Sequence, residues 1–552
     1  MRSPRGDRNL PLILPPAGTD CAVRVSQSKL SDAPVTRRAS GTVVEVPGGE
    51  NAWRSTAQST QSLTRVTLLQ YDSCHPVPHV GMQGSRPLQI VREEERSVSD
   101  EKRLNKEIAE RYVENYERPV EDPDSVWLGE FTAIDHEAAA ILASCVKLEF
   151  LALDGVTSLS DAAAASLARH KGAWLSLRGL TSMSDSPGHL ALAARLAQDG
   201  WLLYLNGVTS LSDAAARELA KHHSFDLYLN GLTSLSIAAA AALADHEGGL
   251  HFNGLSSLSE AAAEALAKHE RGLHLNGLTS LSDATAEALA KHERDLNLNG
   301  LTSLSDAAAE ALAKHKGFFL YLNGLTSLSE AAAEALAKHE GHYLYLNGLA
   351  SLSDATAEAL AKHGHSLSLN GLTSLSDAAV ESLAKNKGVS LNGLTSLSDT
   401  AAEALAKYEG SDLNLSGLTS LSSAAAEALA KHQGDELQLG GLTSLSDTTA
   451  KALVKYKGIE LNLSGLTSPP AALVKYKRVL YLNGLTSLSD AEAEVLATYA
   501  CYDLHLESLT SLSDTAATAL AEYQRTLHIG LDCLPESAAE ILRHHPSFQH
   551  ER

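Results

Sequence analysis

The sequence predicts an α/β solenoid of about eighteen short units, each a strand, a turn and a helix. The strands form a curved parallel sheet on the concave side and the helices line the convex side. Three observations predict this. A glycine recurs at Gly155, Gly179, Gly207, Gly231, Gly254, Gly277, Gly300, Gly324, Gly348, Gly371, Gly393, Gly417, Gly441, Gly465 and Gly484, and eleven of the fourteen steps are 23 or 24 residues. Leucines flank each glycine with strand-like alternation, as Leu320, Leu322, Leu325 and Leu328 do around Gly324. A serine and an Ala-rich run then follow, the mark of a capped helix.

One unit, residues 320–341, justifies each element in turn. Leu320 to Leu322 is a strand, and Gly324 stands where the chain must bend sharply, which a residue without Cβ does cheaply. Ser329 is the N-cap; Glu330 and Glu334 come early and Lys338 and His339 late, which complements the helix dipole. The spacing predicts i,i+4 pairs Glu334–Lys338, Glu264–Lys268, Glu287–Lys291, Glu310–Lys314, Glu358–Lys362 and Glu427–Lys431. Gly341 ends the helix. A helix of roughly ten residues is shorter than the ~12–15 at which an isolated helix becomes marginal, so its stripe of Ala333, Leu336 and Ala337 must lie on a neighbour. A single unit is therefore unfolded and the array is stable only as an array. Strands pack ~4.8 Å apart and helices roughly 8–10 Å apart, so the stack must curve.

These residues carry a resemblance. The stretch LYLNGLASLSDATAEALA (344–361) resembles the cysteine-containing subtype of the leucine-rich repeat, with Leu349 in the place of its cysteine or asparagine. The chain looks like a bacterial leucine-rich repeat protein over about three quarters of its length. The resemblance implies a solenoid that binds other proteins.

The array spans residues 126–545, with degenerate copies beginning at Val126, at Leu504 (where Ser508 takes the glycine place) and at Leu527. Residues 1–100 lack periodicity, are rich in Ser, Pro, Gly, Arg and Thr, and read as disordered. Met82 offers an alternative start that would leave 1–81 untranslated. Residues 101–125 form a capping helix and linker, since Leu104, Ile108, Tyr112 and Tyr116 recur every fourth position over 101–118. The Gly179 unit carries about four extra residues near Ser186, Pro187 and Gly188, expected as an outer loop. In the Gly465 unit Pro469 and Pro470 replace the helix start, so little outer helix is expected. Residues 546–552 read as a tail without a cap, which leaves the last strand, Leu527 to Ile529, open to weak end-to-end homodimerisation.

The net charge is −22, and the repeats hold nearly all the excess, with 28 basic against 49 acidic side chains beyond residue 125. That balance argues against nucleic acid and anionic membrane as partners and leaves a protein partner, favouring a basic one. Five scattered cysteines lack the paired clusters of extracellular repeats, and the early apolar run is broken by Pro11, Pro15 and Pro16. A cytoplasmic location is favoured over a secreted one. No apolar run reaches the ~18–20 residues of a membrane span.

Strand residues between the leucines point away from the core, onto the concave face. That column is the most varied in the array: Trp127, Ala152, Ser176, Tyr204, Tyr228, His251, His274, Asn297, Tyr321, Tyr345, Ser368, Ser390, Asn414, Gln438, Asn462, Tyr481, His505 and His528. With the column before it, it yields two candidate partner-binding regions. One is aromatic, Phe319, Tyr321, Tyr343 and Tyr345, joined on the same face by Tyr204 and Tyr228. The other is acidic and amide-rich, with Asp412, Asn414, Glu436 and Glu460, suited to Lys and Arg. The near-invariant asparagine after each leucine pair, Asn206 to Asn392, predicts a hydrogen-bonded ladder.

His222, His246, His269, His292, His315, His339 and His363 recur at the helix ends, where Tyr408, Tyr456, Tyr476 and Tyr499 later stand. An aromatic plug explains that exchange; a zinc held at ~2 Å by histidines of neighbouring repeats does not. No metal or cofactor is implied. Cys501-Tyr502-Asp503 is similar to the C-x-D of bacterial ubiquitin-ligase effectors, whose cysteine is the nucleophile, but here it lies inside a repeat. The sequence therefore reads as a non-enzymatic protein-binding scaffold. Alternatives are a glycan-binding surface protein, in which tyrosines and asparagines hold sugars, the cysteine-dependent ligase, and a plain spacer.

Overall fold

The computed structural model describes residues 102–116, 128–198, 200, 202–223 and 225–548, all within one compact unit, Ser97–Arg552. The expectations for residues 1–100, for Trp127 and for 549–552 lie outside the described residues.

The repeating unit is the predicted one. Strand Phe319–Tyr321 leads through Gly324 to Ser329, whose Oγ accepts a hydrogen bond from Ala332 N at 2.9 Å and caps helix Glu330–Leu336. Leu320, Leu322, Leu325, Ala332, Ala333 and Leu336 are fully buried, while Tyr321, between two leucines, stays half-buried on the outer face of the sheet. Gly324 is required by a close approach: a Cβ there would lie 2.1 Å from the carbonyl oxygen of Asn299 in the preceding unit.

The helix is shorter than predicted. It ends at Leu336 after seven residues; Ala337 N–H donates to Ala333 O and Ala335 O, and the chain turns so that His339 enters the interior. Lys338 and its equivalents thus stand beyond the helix, out of line with the glutamates four residues earlier. Of the six predicted i,i+4 pairs, only Glu358–Lys362 forms among the described residues, at 3.8 Å. Lys291 and Lys455 instead reach Glu264 and Glu427 of earlier units, at 2.8 and 2.6 Å.

The strands pair in parallel with their leucines in register. A nine-stranded sheet runs from Leu203–Tyr204 to Gly388–Ser390, and a six-stranded sheet from Asp412–Asn414 to Thr526–His528. The break falls after the unit that is one residue short, in which Val389 replaces the first leucine and Asn386 the histidine. Before them, Phe150–Ala152 pairs with Trp174–Ser176. This is a leucine-rich repeat solenoid.

Side chains lace the units together. Each asparagine Oδ1 accepts from the N–H of the next asparagine along, as in Asn299 to Asn323 and Asn323 to Asn347, both 2.9 Å. N-cap serines donate to the first helical aspartate of the preceding unit, Ser422 to Asp399 and Ser513 to Asp490, both 2.5 Å. Threonine hydroxyls donate to threonine carbonyls one unit back, as Thr181 does to Thr157 at 2.9 Å.

The stack fans outward. Stacked rings on the strand face stand 4.0–4.6 Å apart (Tyr204–Tyr228, Tyr228–His251, Tyr321–Tyr345), whereas the buried histidines nearer the helices stand 5.5–6.5 Å apart. The strand face is therefore the tighter, concave one, as the packing distances require.

The irregular units resolve physically. The extra residues after Gly179 lengthen the helix to Pro187–Leu196 instead of forming a loop, because Pro187 stands at the first helical position, where its fixed φ suits the helix and its missing N–H costs nothing. Pro469 and Pro470 leave a short 3-10 turn, Ala471–Lys475, where other units have an α-helix. At the start, strand Arg103–Leu104 pairs with Ala133–Ile134, and helix Lys106–Asn115, capped by Asn105, buries Ala109 against the first repeat. At the end the last strand is not bare as the sequence suggests. Residues 543–548 fold back, Ser547 Oγ accepts from Leu527 N at 2.9 Å, and His545 bonds Tyr523 O at 2.7 Å. His545 plays the buried role of the earlier helix-end histidines, which is why the tail adheres.

Candidate functional site

Alternation between buried leucines and outward residues places the varied column on the concave face. Tyr204, Tyr228, His251, His274, Asn297, Tyr321, Tyr345, Ser368 and Ser390 are direct partners on consecutive strands. The sheet spacing brings their rings into contact without a ligand.

Phe319, Tyr321, Tyr343 and Tyr345 meet as one patch. Tyr321 stacks on Tyr345 at 4.6 Å and Phe319 on Tyr343 at 4.9 Å, with Phe319 and Tyr321 5.8 Å apart along their strand. All four are half-buried. Burial first, then the neighbouring phenol and Asp295, push the Tyr321 hydroxyl up to about 12. Tyr204 and Tyr228 stack at 4.6 Å and continue into His251 and His274 at 4.0 Å each, but three strands separate Tyr228 from Tyr321. They belong to the same wall and not to the same patch. Arg178 lies over the Tyr204 ring at 4.6 Å.

Sequence reasoning missed Phe318, which is 46% exposed. It packs edge-on to Phe319 at 4.8 Å and against His342 at 4.4 Å, and His365 follows at 4.7 Å. The signal was the pair Phe318-Phe319 just ahead of the leucine alternation.

Asp412, Asn414, Glu436 and Glu460 lie on the second sheet, apart from the aromatic patch. Asp412 opposes Glu436, and Glu436 opposes Glu460, so three carboxylates line one edge of adjacent strands. Asp412 is exposed on the face, yet desolvation by the neighbouring strands, then Glu436 and Glu460, push it up to about 6. Gln438 donates to Glu436 at 3.1 Å.

The helix-end histidines form a separate, interior column. His222, His246, His269, His292, His315, His339 and His363 are at most 2% exposed. Burial pulls His246, His269, His292, His315 and His363 down to about 4 and His339 to about 3. Their rings stand nearly face to face, 5.5–6.5 Å apart, and fill the interior at the place that Tyr408, Tyr456, Tyr476 and Tyr499 fill in later units. The asparagine ladder takes up the Oδ1 atoms that a sugar would need, leaving the amide nitrogens as donors. Cys501 is fully buried, its Sγ 3.0 Å from Tyr523 Oη, and burial raises its thiol, which disfavours the nucleophilic thiolate. No helix among the described residues is long and apolar enough to cross a membrane.

No family model matches the chain, and no curated protein does. Among solved structures it is similar to an internalin of Listeria monocytogenes str. 4b F2365, at 16% identity and a TM-score of 0.30, covering 64% of this chain and 84% of that one. It is also similar to a chain of the Drosophila Toll–Spatzle complex in its glycosylated form, at 19% identity and a TM-score of 0.38, covering 59% of this chain and 44% of that one. The chain thus spans less than half the length of that second protein.

Proposed function

We propose that this chain is a non-enzymatic scaffold that holds a protein partner on its concave face. The observation that carries the reading is the patch of Phe319, Tyr321, Tyr343 and Tyr345. Large aromatic side chains dominate binding hot spots, and here they stand half-exposed and fixed by mutual stacking. A surface already ordered by the sheet loses little side-chain freedom on binding. The in-register carboxylates Asp412, Glu436 and Glu460 repel one another and favour a partner that brings Lys or Arg opposite them.

The test is affinity capture with the full chain, identification of the bound protein, and comparison with a variant carrying F319A, Y321A, Y343A and Y345A. The variant should lose the partner while its circular dichroism stays that of the parent. Equal capture by a folded variant removes the patch from the site.

A further inference from the structure

The last two strands carry an arrangement found nowhere else among the described residues. His505 and His528 are partners on adjacent strands, their rings stacked at 4.1 Å and 3°. Glu507 projects beside them, its Oε1 2.6 Å from His505 Nδ1, and one ligand atom from each of the three lies within 4.8 Å of the others. Asp503 Oδ1 stands 3.9 Å from His528 Nε2 as a fourth oxygen at the rim.

Glu507 occupies the position that is asparagine from Asn206 to Asn392 and in Asn483. Its N–H still donates to Asn483 Oδ1 at 3.1 Å, as the ladder requires, and its carboxylate, in reach of Asn483, turns its Oε1 to His505. The next unit has Gly530 at that place, so no side chain there continues the ladder over Glu507. A glutamate thus appears in the ladder column beside one of the two stacked histidine pairs, while the other keeps asparagine.

We propose that His505, Glu507 and His528 form a binding site for a divalent transition-metal ion of the zinc class. Two imidazoles and one carboxylate are a common zinc set, with Asp503 or water completing four-coordination. Atoms sharing a tetrahedral ion at ~2.0–2.1 Å are roughly 3.4 Å apart, so the widest separation in the cluster must close by at most about 1.4 Å while the Glu507–His505 contact opens by about 0.8 Å. Imidazole lone pairs lie in the ring plane, so one ring must turn out of the stack. His528 lies on the terminal strand with 41% of its side chain exposed, and among the described residues His505 is the one ring stacked on it, which leaves room for it to turn. The bound ion would tie the last repeat to the one before it.

The other stacked histidine pair supplies the contrast. His251 and His274 stack at 4.0 Å, yet Asn253 and Asn276 follow them in the ladder. Asp226, the carboxylate at His251, also accepts from Gly249 N at 2.8 Å, and His274 Nδ1 meets Asn297 Nδ2 at 3.3 Å. That pair has strands on both sides and no carboxylate between its rings.

The experiment is titration of the metal-free full chain with Zn2+ by calorimetry, and with Co2+ by visible absorption, which reports N/O ligation. Wild type should bind one ion per chain. His528→Gln should abolish that binding, Glu507→Gln should weaken it at least about tenfold, and His274→Gln should leave it unchanged. No binding by wild type overturns the proposal, as does equal binding by Glu507→Gln and His528→Gln, which would mark a surface ion only. Should His528→Gln fail to fold, the exposed Glu507→Gln decides with the same two readouts. The outcome is independent of whether the aromatic patch holds a partner.

Discussion

Acid should unfold the histidine-plugged part of this solenoid. Six buried histidines, His246, His269, His292, His315, His339 and His363, have folded values of about 4 or about 3, against 6.5 for the free side chain. Burial is the largest cause for each. The folded values are depressed, so the unfolded chain binds protons that the folded chain refuses. The stabilisation is complete above pH 6.5 and is lost as pH falls toward 4. Relative to neutral pH, each histidine costs about 2 kcal/mol at pH 5, and the six together on the order of 11 kcal/mol. That is comparable with the ~5–15 kcal/mol net stability of an ordinary domain.

Beyond residue 400 most units carry a tyrosine at this place, Tyr408, Tyr456, Tyr476, Tyr499 and Tyr523, phenols that burial raises and that stay neutral throughout the window; His432 and His545 are the buried exceptions. In a quasi-one-dimensional array the two parts can fail separately. Urea unfolding between pH 7 and pH 5, with limited proteolysis to locate the opening, should show the region around 246–363 failing first. Asn386 gives the control. Standing in a histidine place, it donates to His363 O at 2.6 Å and accepts from Gly388 N at 2.8 Å without a titrating group. The triple variant His292→Asn, His315→Asn, His339→Asn should therefore lose about half of the pH dependence, whatever its stability at pH 7. A flat stability curve from pH 7 to pH 5 in wild type, or an unchanged slope in the variant, refutes the reasoning.

Two further predictions follow from the face and the ladder. Asp412 is raised to about 6, so its ionised form costs folding stability above that value and the cost vanishes toward pH 4. Asp412→Asn should thus stabilise the fold at pH 7, by a gain that shrinks with acidification in denaturant titrations, while weakening capture of a basic partner. Asn323→Ala removes the acceptor for Asn347 N–H and should cost about 1 kcal/mol in urea unfolding; no loss would show that water replaces the ladder freely.

The scaffold was legible because Leu320, Leu322, Leu325 and Leu336 hold the same burial in every copy, and repetition within one chain separates fixed from free positions. Short-range detail was less legible. The extent of a helix depends on where the next turn must dive, and His339 diving inward cut the helix at Leu336 and moved Lys338 out of its i,i+4 pairing. The terminal cap was missed because His545 belongs to the histidine column only once the chain has folded back. The column position of His505 and His528 was visible, but their significance needed Glu507 beside both, a relation across strands that spacing does not display.

The fanning of the stack bears on what kind of partner the proposed concave site would hold. Rings 4.6–4.9 Å apart cover one another's facing sides, so a visitor arriving over Phe319, Tyr321, Tyr343 and Tyr345 meets ring edges and hydroxyls first. Ring edges carry the positive end of the aromatic quadrupole, while a cation seeks the covered face. On the proposed reading the patch therefore suits apolar groups and hydrogen-bond acceptors, and cationic groups of the partner would go instead to Asp412, Glu436 and Glu460 on the second sheet. A partner that satisfies both regions must present an apolar segment to the first sheet and a Lys/Arg-rich one to the second. Substitutions in the two regions then separate by their salt response: raising ionic strength should relieve the difference between wild type and an Asp412/Glu436/Glu460 variant, because exposed charge pairs are screened, and leave the aromatic variant's defect intact.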